Sequence, residues 1–489
     1  MSDSMDIVIR DLATTTVEIA RHVATVAETP PQAEDVEALR RLLLDNFIVS
    51  LWGITRPVTT ELADWTARFA GTGKSVVLGR DWTTDPSIAA LVHGTAAHAF
   101  ELDDTHNATA SHPGSVIMAV ALAIAAEDDP PVAREHFLQA ITAGYETMAL
   151  LGEAAGGMSI VHRGFHPTSL LGTYGGATTA LVLRALRAGD RIDPVMLETT
   201  WGHALSQPSG SMQFSAEPEG GEVKRVHAGI GAHNAIRAAD FAALPAVSAP
   251  RLALEGTYGL AACFGGELTP VRLDRGPAIH QISLKPYACC RLFHSTIDAL
   301  REVTDGFTMP ADNIRGVLVT GPRLIAEQHL TRADSSMTAQ YSCPFVVAAT
   351  IVHGPERYDA YSEENLGNLA VSSVVAKVRF EVDHAMEAEF YPEHFATAVR
   401  LELSDGSVRT ARVVDSVGTA EHPMSVDQII AKAAGLAPAG ADGCGARLAT
   451  AIWRADADPS AFAAALWSEA RNLAAARNLR GAAAHDSIP

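Results

Sequence analysis

At 489 residues, 47% of them hydrophobic, the chain is long enough to bury the cores of two or three domains. A formal charge of −20 excludes broad nucleic-acid binding, which needs basic patches to neutralise phosphates, and five cysteines, two adjacent at Cys289 and Cys290, form neither a disulfide framework nor a CxxC metal site. No apolar run reaches the roughly 20 residues that cross a bilayer, and no basic-then-apolar leader opens the chain, so a cytoplasmic protein is expected.

Residues before about Asp6 are expected to be disordered. Ile7 to Val26 and Asp35 to Trp52 read as amphipathic helices, the second with Leu39, Leu42, Leu43, Phe47 and Leu51 as its apolar stripe. A strand-like piece, Ser75 to Leu78, precedes a helix drawn from Asp85, a good N-cap, through Pro86 to about Leu102. That helix leads into Glu101-Leu-Asp-Asp-Thr-His-Asn-Ala-Thr-Ala-Ser-His-Pro-Gly-Ser115, which crowds three carboxylates and two imidazoles before the apolar run Ser115 to Ala126. Glu101, Asp103 and Asp104 at a helix carboxyl end oppose the helix dipole, at a few tenths of a kcal/mol each, and repel one another. A cationic neighbour or a bound ligand should offset that cost, and the stretch is read as an active-site loop pinned between two buried helices.

Val132 to Leu151 is a further helix, followed by an irregular segment, Gly152 to Pro167, that carries His162, Arg163 and His166. Ser169 to Arg187 and Pro194 to Leu205 are helical, and Ser206 to Gly221 is a third irregular loop leading to Lys224 and a small-residue helix toward Phe241. From about Gln281 the pattern is mixed. Asn313 to Thr320 and Val374 to Val382 alternate like strands, and Thr397 to Leu403 with Val408 to Val413 flank Asp405-Gly406 as a hairpin, with helices at Ser295 to Val303 and Thr338 to Val352. Ser425 with Gln428 three residues on reads as a capping box that returns the chain to helix, through Pro459 to Ala474, before a tail, Arg480 to Pro489, expected to fray. The fold class expected is mainly α with an α+β lid, with a helical domain over 1–278, an α+β domain over 279–424, and helices 425–489 returning to the first.

Neither GxGxxG nor GxxxxGK[ST] is present, nor are GxSxG and HExxH, so neither a nucleotide cofactor nor a metal is expected. What remains is a set of polar residues on loops between apolar helices: Asp103, Thr105, His106, His112, His166 and Lys224, then Lys285, Arg291, His294 and Tyr341. Cys289 and Cys290 read as packing residues.

Five blocks, in order, carry a resemblance: Glu101-Leu-Asp-Asp-Thr-His with His112, Gly164-Phe-His-Pro-Thr-Ser, Val223-Lys-Arg-Val-His-Ala-Gly, Lys285-Pro-Tyr-Ala-Cys-Cys-Arg and Ala339-Gln-Tyr-Ser-Cys-Pro-Phe. Together they resemble the MmgE/PrpD family, which includes 2-methylcitrate dehydratase, cis-aconitate decarboxylase and an iminodisuccinate epimerase. The resemblance covers about residues 10 to 430. It implies a helical domain built from both chain ends, a smaller lid, a homodimer, and an active site between the domains. In the decarboxylase branch the equivalents of Thr105, His112, His166, Lys224, Lys285 and Tyr341 line the pocket. Glu101 stands where the animal decarboxylases carry Asp, and the spacing from Thr105 to His112 is like that of the fungal enzyme. The dehydratases lack the Phe-His-Pro block.

The chemistry this implies is a cofactor-independent lyase acting on a small di- or tricarboxylate, cis-aconitate decarboxylase-like. Dehydration, epimerisation of an iminodisuccinate-like acid, or a non-catalytic binding role are the alternatives. Lys224 and Lys285, with Arg291 and His106, would hold carboxylates. His112 and His166 would move the proton, Tyr341 would donate, Thr105 would line the site, and Asp103 or Asp104 would orient a histidine and raise the pKa of His112. The partner expected is a small carboxylate, with no nucleic acid and no membrane.

Overall fold

The computed structural model describes residues 8–9, 11–127, 132–207, 210–217, 221–327, 333–436, 442–454 and 458–485, with side chains to 473. The expected disorder before Asp6 lies outside these residues, as do 486–489 of the tail. The principal helices are α1 Thr15–Glu28, α2 Ala33–Gly53, α3 Pro86–His98, α4 Pro113–Ala125, α5 Arg134–Ala154, α6 Pro167–Ala188, α7 Pro194–Leu205, α8 Val223–Ala242, α9 His294–Val303, α10 Ser336–Tyr341, α11 Cys343–His353, α12 Val426–Leu436, α13 Cys444–Trp453 and α14 Pro459–His485. The strands are β1 Thr105–His106, β2 Ile282–Ser283, β3 Ile314–Gly321, β4 Val378–Val382, β5 Thr397–Leu403 and β6 Val408–Val413, with a further two-residue pair at Ser75–Val76 and Thr83–Thr84. The protein is thus mainly α with a smaller α+β part. No helix among the described residues is long and apolar enough to cross a membrane.

The helical part is organised around α4, in which every residue from Pro113 to Ile124 is buried. A helix apolar on all sides must be wrapped by others, and α3, α5, α6 and α8 do so. α8 packs along both α3 and α6, and small residues set how closely it approaches. A methyl added at Gly94 of α3 would lie 2.9 Å from the Gly229 backbone of α8, and one at Gly229 would overlap the Leu91 carbonyl and Thr95 Oγ1. The C-terminal helices return: α12, α13 and α14 all pack on α2, and α14 also touches α4. The capping box that opens α12 is formed, with Gln428 N donating to Ser425 Oγ at 3.2 Å and Ser425 N to Gln428 Oε1 at 2.8 Å. The backbone of α14 stays helical to His485, beyond Arg480 where fraying was expected.

The four-stranded sheet has the order β4-β3-β5-β6, with β3 and β4 parallel and the other pairs antiparallel. The β5–β6 hairpin closes over Asp405-Gly406, where Gly406 takes φ 87°. α9 covers β5 and β6, and α11 covers β4. Two elements differ from the sequence expectation. Of the stretch 374–382 only Val378–Val382 is a strand, because Asn368 Oδ1 accepts from Ala370 N and Val371 N and starts a short helix, Leu369–Val375. The single helix expected over 338–352 is broken at Ser342, whose extended backbone precedes Cys343 and Pro344 and whose Oγ caps Phe345 N at 3.3 Å.

Close approach of α8 to α3 is the packing condition that the site inherits. Gly229→Ala is expected to lower stability by about 1–3 kcal/mol through overpacking, measured as a lower midpoint of thermal or urea unfolding, whereas Gly276→Ala, at a position with nothing within 4 Å, should show only the smaller cost of its positive φ.

Candidate active site

Two long helices, α4 and α6, begin at one cleft, and a third, α8, begins behind its wall. His112 is the N-cap of α4 and His166 the N-cap of α6, each followed by a proline at the first helical position, and Lys224 lies in the first turn of α8. Helix N-termini carry partial positive charge and unpaired N–H groups, so their convergence favours anions. The cleft encloses about 590 Å³ of space, part of it open to solvent, and among its lining residues are Glu101, Thr105, His112, His166, Lys285, Arg291 and Tyr341. Its walls come from segments 101–212 and 285–395, brought together by the antiparallel pairing of β1 with β2, Thr105 opposite Ser283 and His106 opposite Ile282.

α3 ends at His98, three residues before Glu101, and the chain turns at Glu101 through φ 57°, a left-handed conformation unusual for a residue with a side chain. That turn drives its carboxylate into a cage of cations. Lys224 Nζ donates to Oε1, Arg225 Nη1 donates to the same oxygen at 2.8 Å, and Lys285 Nζ lies 3.5 Å from Oε2. Burial would raise the Glu101 pKa, but Lys224, Lys285 and Arg225 hold it well below the usual carboxylate range. Gln340 completes the shell, accepting from Arg225 Nη2 at 2.6 Å and donating to the Phe100 and Ala288 carbonyls, each at 2.9 Å. The cation that the acidic run required is therefore present, supplied from α8 and from the segment after β2.

The imidazoles form a second layer. Asp103 Oδ2 lies 2.6 Å from His98 Nδ1, and the ionised carboxylate only accepts, so His98 carries its proton on Nδ1 and its buried Nε2 is left without a hydrogen-bond partner. His112 Nδ1 donates to the Asp104 carbonyl at 2.7 Å, with Thr105 Oγ1 at 3.3 Å, which leaves Nε2 as its unprotonated nitrogen. His166 Nδ1 meets His227 Nδ1 at 3.1 Å. The ring centroids of His98 and His112 are 5.0 Å apart, and those of His98 and His166 5.5 Å.

Burial decides the charge on these rings. It pulls the His112 pKa down to about 3, against the opposing charge of Asp103 and reinforced by Lys285, and it lowers His98 and His166 as well, with His227 down to about 4. The expectation that a carboxylate would raise the pKa of His112 is corrected. Asp103 Oδ1 stands 3.8 Å away while its other oxygen is spent on His98, and Asp104 offers His112 its carbonyl, not its carboxylate. The Asp104 carboxyl instead accepts from Gly114 N and Tyr145 Oη, and burial pushes its pKa up to about 7.

Other residues singled out in the sequence are distributed unevenly. Thr105, His112, His166, Lys285, Arg291 and Tyr341 share the cleft; Arg291 donates to Ser416 Oγ at 2.8 Å while its buried Nε has no hydrogen-bond partner. Lys224 is fully buried behind Glu101, under the ring of Tyr341 at 5.4 Å, and is not part of the lining. His106 turns away, onto Thr109 Oγ1 at 2.9 Å and toward Glu153 at 3.5 Å, and does not line the cleft. His294 lies with Nε2 3.4 Å from the Cys289 carbonyl. Residues that sequence reasoning passed over are His98, Arg225, His227 and Gln340, and Lys432 of α12, whose Nζ donates to Asp45 Oδ1 at 2.7 Å and to the Leu102 carbonyl at 2.8 Å. Lys432 had a readable signal: it stands on the buried stripe Ile429, Lys432, Ala433 and Leu436, where a lysine needs a partner. His98, Asp103 and His112 present ligand atoms within 4.8 Å of one another. Both rings keep Nε2 free while Nδ1 donates, but Lys285 and Lys224 raise the local potential, which opposes a metal cation there.

Two family models match the chain: the MmgE/PrpD N-terminal domain over residues 17–271 and the MmgE/PrpD C-terminal domain over 287–452. The chain is similar to cis-aconitate decarboxylase of Aspergillus terreus (strain NIH 2624 / FGSC A1156), 26% identical over 444 residues that cover 85% of this chain and 88% of that protein. It is also similar to the cis-aconitate decarboxylase-like protein oryM of Aspergillus oryzae, 27% identical over 80% of this chain and 84% of that one, and to cis-aconitate decarboxylase of Mus musculus, 23% identical over 80% of each.

The neutral histidines give a pH dependence with a definite sign. A histidine whose folded pKa is lowered binds fewer protons folded than unfolded, so stability falls as pH drops below the unfolded value near 6.5 and goes on falling down to the folded pKa, about 3 for His112 and about 4 for His227 and for His93. Each such ring contributes a slope of up to about 1.4 kcal/mol per pH unit. Unfolding free energy measured from pH 7 to 5 should fall steeply for the native chain, and less steeply in His112→Gln; equal slopes would mean that His112 is not held neutral.

Proposed function

We infer the activity from a premise that the two domain matches establish: the chain belongs to the MmgE/PrpD family. On that premise it is a lyase of small polycarboxylates, and because its relatives are named as cis-aconitate decarboxylases, the reaction proposed is loss of carbon dioxide from a cis-aconitate-like di- or tricarboxylate. The observation that carries this reading is the excess of cations at the cleft. Lys285 and Arg291 line it and Lys224 and Arg225 lie behind Glu101, so three cations share the carboxylate of Glu101, and the N-termini of α4 and α6 open at the same place.

Lys285 is the most loosely held cation of the cage, 3.5 Å from Glu101, and a substrate carboxylate competes with Glu101 for it. Arg291, with its unpartnered Nε, takes a second carboxylate. Lys224 and Arg225 act from behind, fixing Glu101 so that it does not follow Lys285 into the cleft. Departure of carbon dioxide leaves the bonding electron pair on carbon, and that carbon takes one proton. His112 and His166 are the residues proposed to handle it. Both are held neutral by burial, and the negative charge of an entering substrate favours their protonated forms, so the proton is taken up with the substrate. The Tyr341 hydroxyl donates to a substrate oxygen and Thr105 keeps the His112 ring in place. In the same reading residues 1–278 and 425–489 form one helical unit and 279–424 a lid, a division supported by the packing of the C-terminal helices on α2. Pairing of two copies is supported by the exposed apolar side chains Phe241, Leu244, Val247, Leu252 and Tyr258.

The test is a panel of di- and tricarboxylates followed for carbon dioxide release, alkene absorbance and proton exchange. Carbon dioxide should be released from cis-aconitate or a close analogue; alkene formation from a hydroxy acid, or exchange with every carbon retained, would replace this reading by dehydration or epimerisation. On the true substrate, His112→Gln should lower kcat by about 100-fold or more with an unfolding midpoint close to that of the native chain at pH 7. Lys285→Met should raise KM more than it lowers kcat, and an unchanged KM would remove Lys285 from substrate binding.

A further inference from the structure

We propose that Lys432 is a positioning residue that sets the active-site loop through a main-chain carbonyl, so that helix α12, near the far end of the chain, tunes the reaction without touching substrate. The inference rests on the decarboxylase reading of the cleft for its kinetic readout, though not for its structural one. Lys432 is 3% exposed, and its Nζ has two partners: Asp45 of α2 at 2.7 Å and the carbonyl of Leu102 at 2.8 Å. Leu102 is the residue between Glu101, whose carboxylate gathers Lys224, Arg225 and Lys285, and Asp103, which holds His98. A hydrogen bond to that carbonyl fixes the peptide plane that runs from Leu102 to Asp103, so the Asp103 side chain departs from a held plane and Glu101 stands one residue before it.

Neighbouring anchors show that this loop is held by its main chain throughout. Gln340 grips the Phe100 carbonyl, Asp104 the Gly114 amide, His112 the Asp104 carbonyl, and Asn46, beside Asp45 on α2, donates to the Gly114 carbonyl at 3.1 Å. Lys432 acts from outside the cleft, as Gln340, Asp104 and Asn46 do, and it alone of these anchors is a lysine carried into a buried place. A buried ion pair can often be exchanged for apolar or neutral groups with little loss of stability, so the contact of this pair that bears on the site is the carbonyl it holds.

The test separates the bond from the charge. Asp45→Asn leaves the lysine, charged or neutral, as a donor to Leu102, whereas Asp45→Asn combined with Lys432→Met removes the donor and strands no charge. The double variant should lose about tenfold or more in kcat, since small misplacements of catalytic groups are costly, with KM within about threefold and an unfolding midpoint near that of the native chain. Hydrogen exchange of the amides in 100–106 should quicken by about tenfold in the double variant, and Asp45→Asn should keep near-native kcat and exchange. Native kcat and native exchange in the double variant would overturn the proposal, as would an equal loss in both variants, which would assign the effect to the ion pair and not to the carbonyl bond. If the native chain turns over none of the panel acids, the decarboxylase reading fails and the exchange measurement still decides the role of Lys432.

Discussion

An ionised carboxylate deep inside a protein needs compensating charge or hydrogen bonds, and Glu101 is the one here that gathers three cations. Its ionised form, its left-handed backbone and its burial are each unfavourable alone; they coexist because Lys224, Arg225 and Lys285 surround it. Removing one partner of such a group typically costs about 3–5 kcal/mol, so the arrangement is strongly all-or-none. The consequence for the fold is registration. The amino end of α8, the segment after β2 and, through Gln340, the carboxyl end of α10 are all referred to one side chain. The approach of α8 to α3 at Gly94 and Gly229 is therefore not only a packing detail. It sets the distance over which Lys224 and Arg225 must reach.

The imidazole layer depends on the same buried charge. Lys285 and Lys224 add to burial in keeping the rings neutral, while Asp103 and the Asp104 carbonyl fix two of the tautomers. A neutral ring with a defined tautomer is ready to accept a proton, and a cleft rich in cations admits only an anion to supply the compensating charge. In the proposed reaction binding and protonation would be parts of one event, which suits the consumption of a proton at carbon.

Much of this was legible in the sequence because it rests on local rules. The helices follow from apolar spacing, the β5–β6 hairpin from Asp405-Gly406, the return to helix from Ser425 and Gln428, and the acidic loop announced its need for cations. What the sequence did not carry is tertiary. β1 and β2 are two residues each, too short for an alternating pattern, yet their pairing places Lys285 beside Glu101. The break at Ser342, signalled only by Pro344, ends α10 at Tyr341 and separates it from α11. The pKa of His112 was misjudged in sign because spacing reveals which charges are near in the chain, whereas the degree of burial is set by α4 and the helices around it. His98 and Gln340 lay within or beside recognised blocks, but nothing local distinguishes a buried hydrogen-bonding residue from its neighbours.

The strand pair and the α12 lysine also bear on how the protein is made. The loop at 101–112 is synthesised early, but its anchors arrive over the next three hundred residues: Lys224 and Arg225, then Ile282 to Lys285, then Gln340, and last Lys432. Until each emerges, the carboxylates of Glu101, Asp103 and Asp45 keep their water, and the helices that will bury them cannot close over that charge. Translation order thus keeps this loop wet until α12 has emerged, although the loop is among the first parts to leave the ribosome. A chain stopped before α12 would present its apolar helices with this one polar seam still open, which gives quality-control proteases a chemically distinct place to begin.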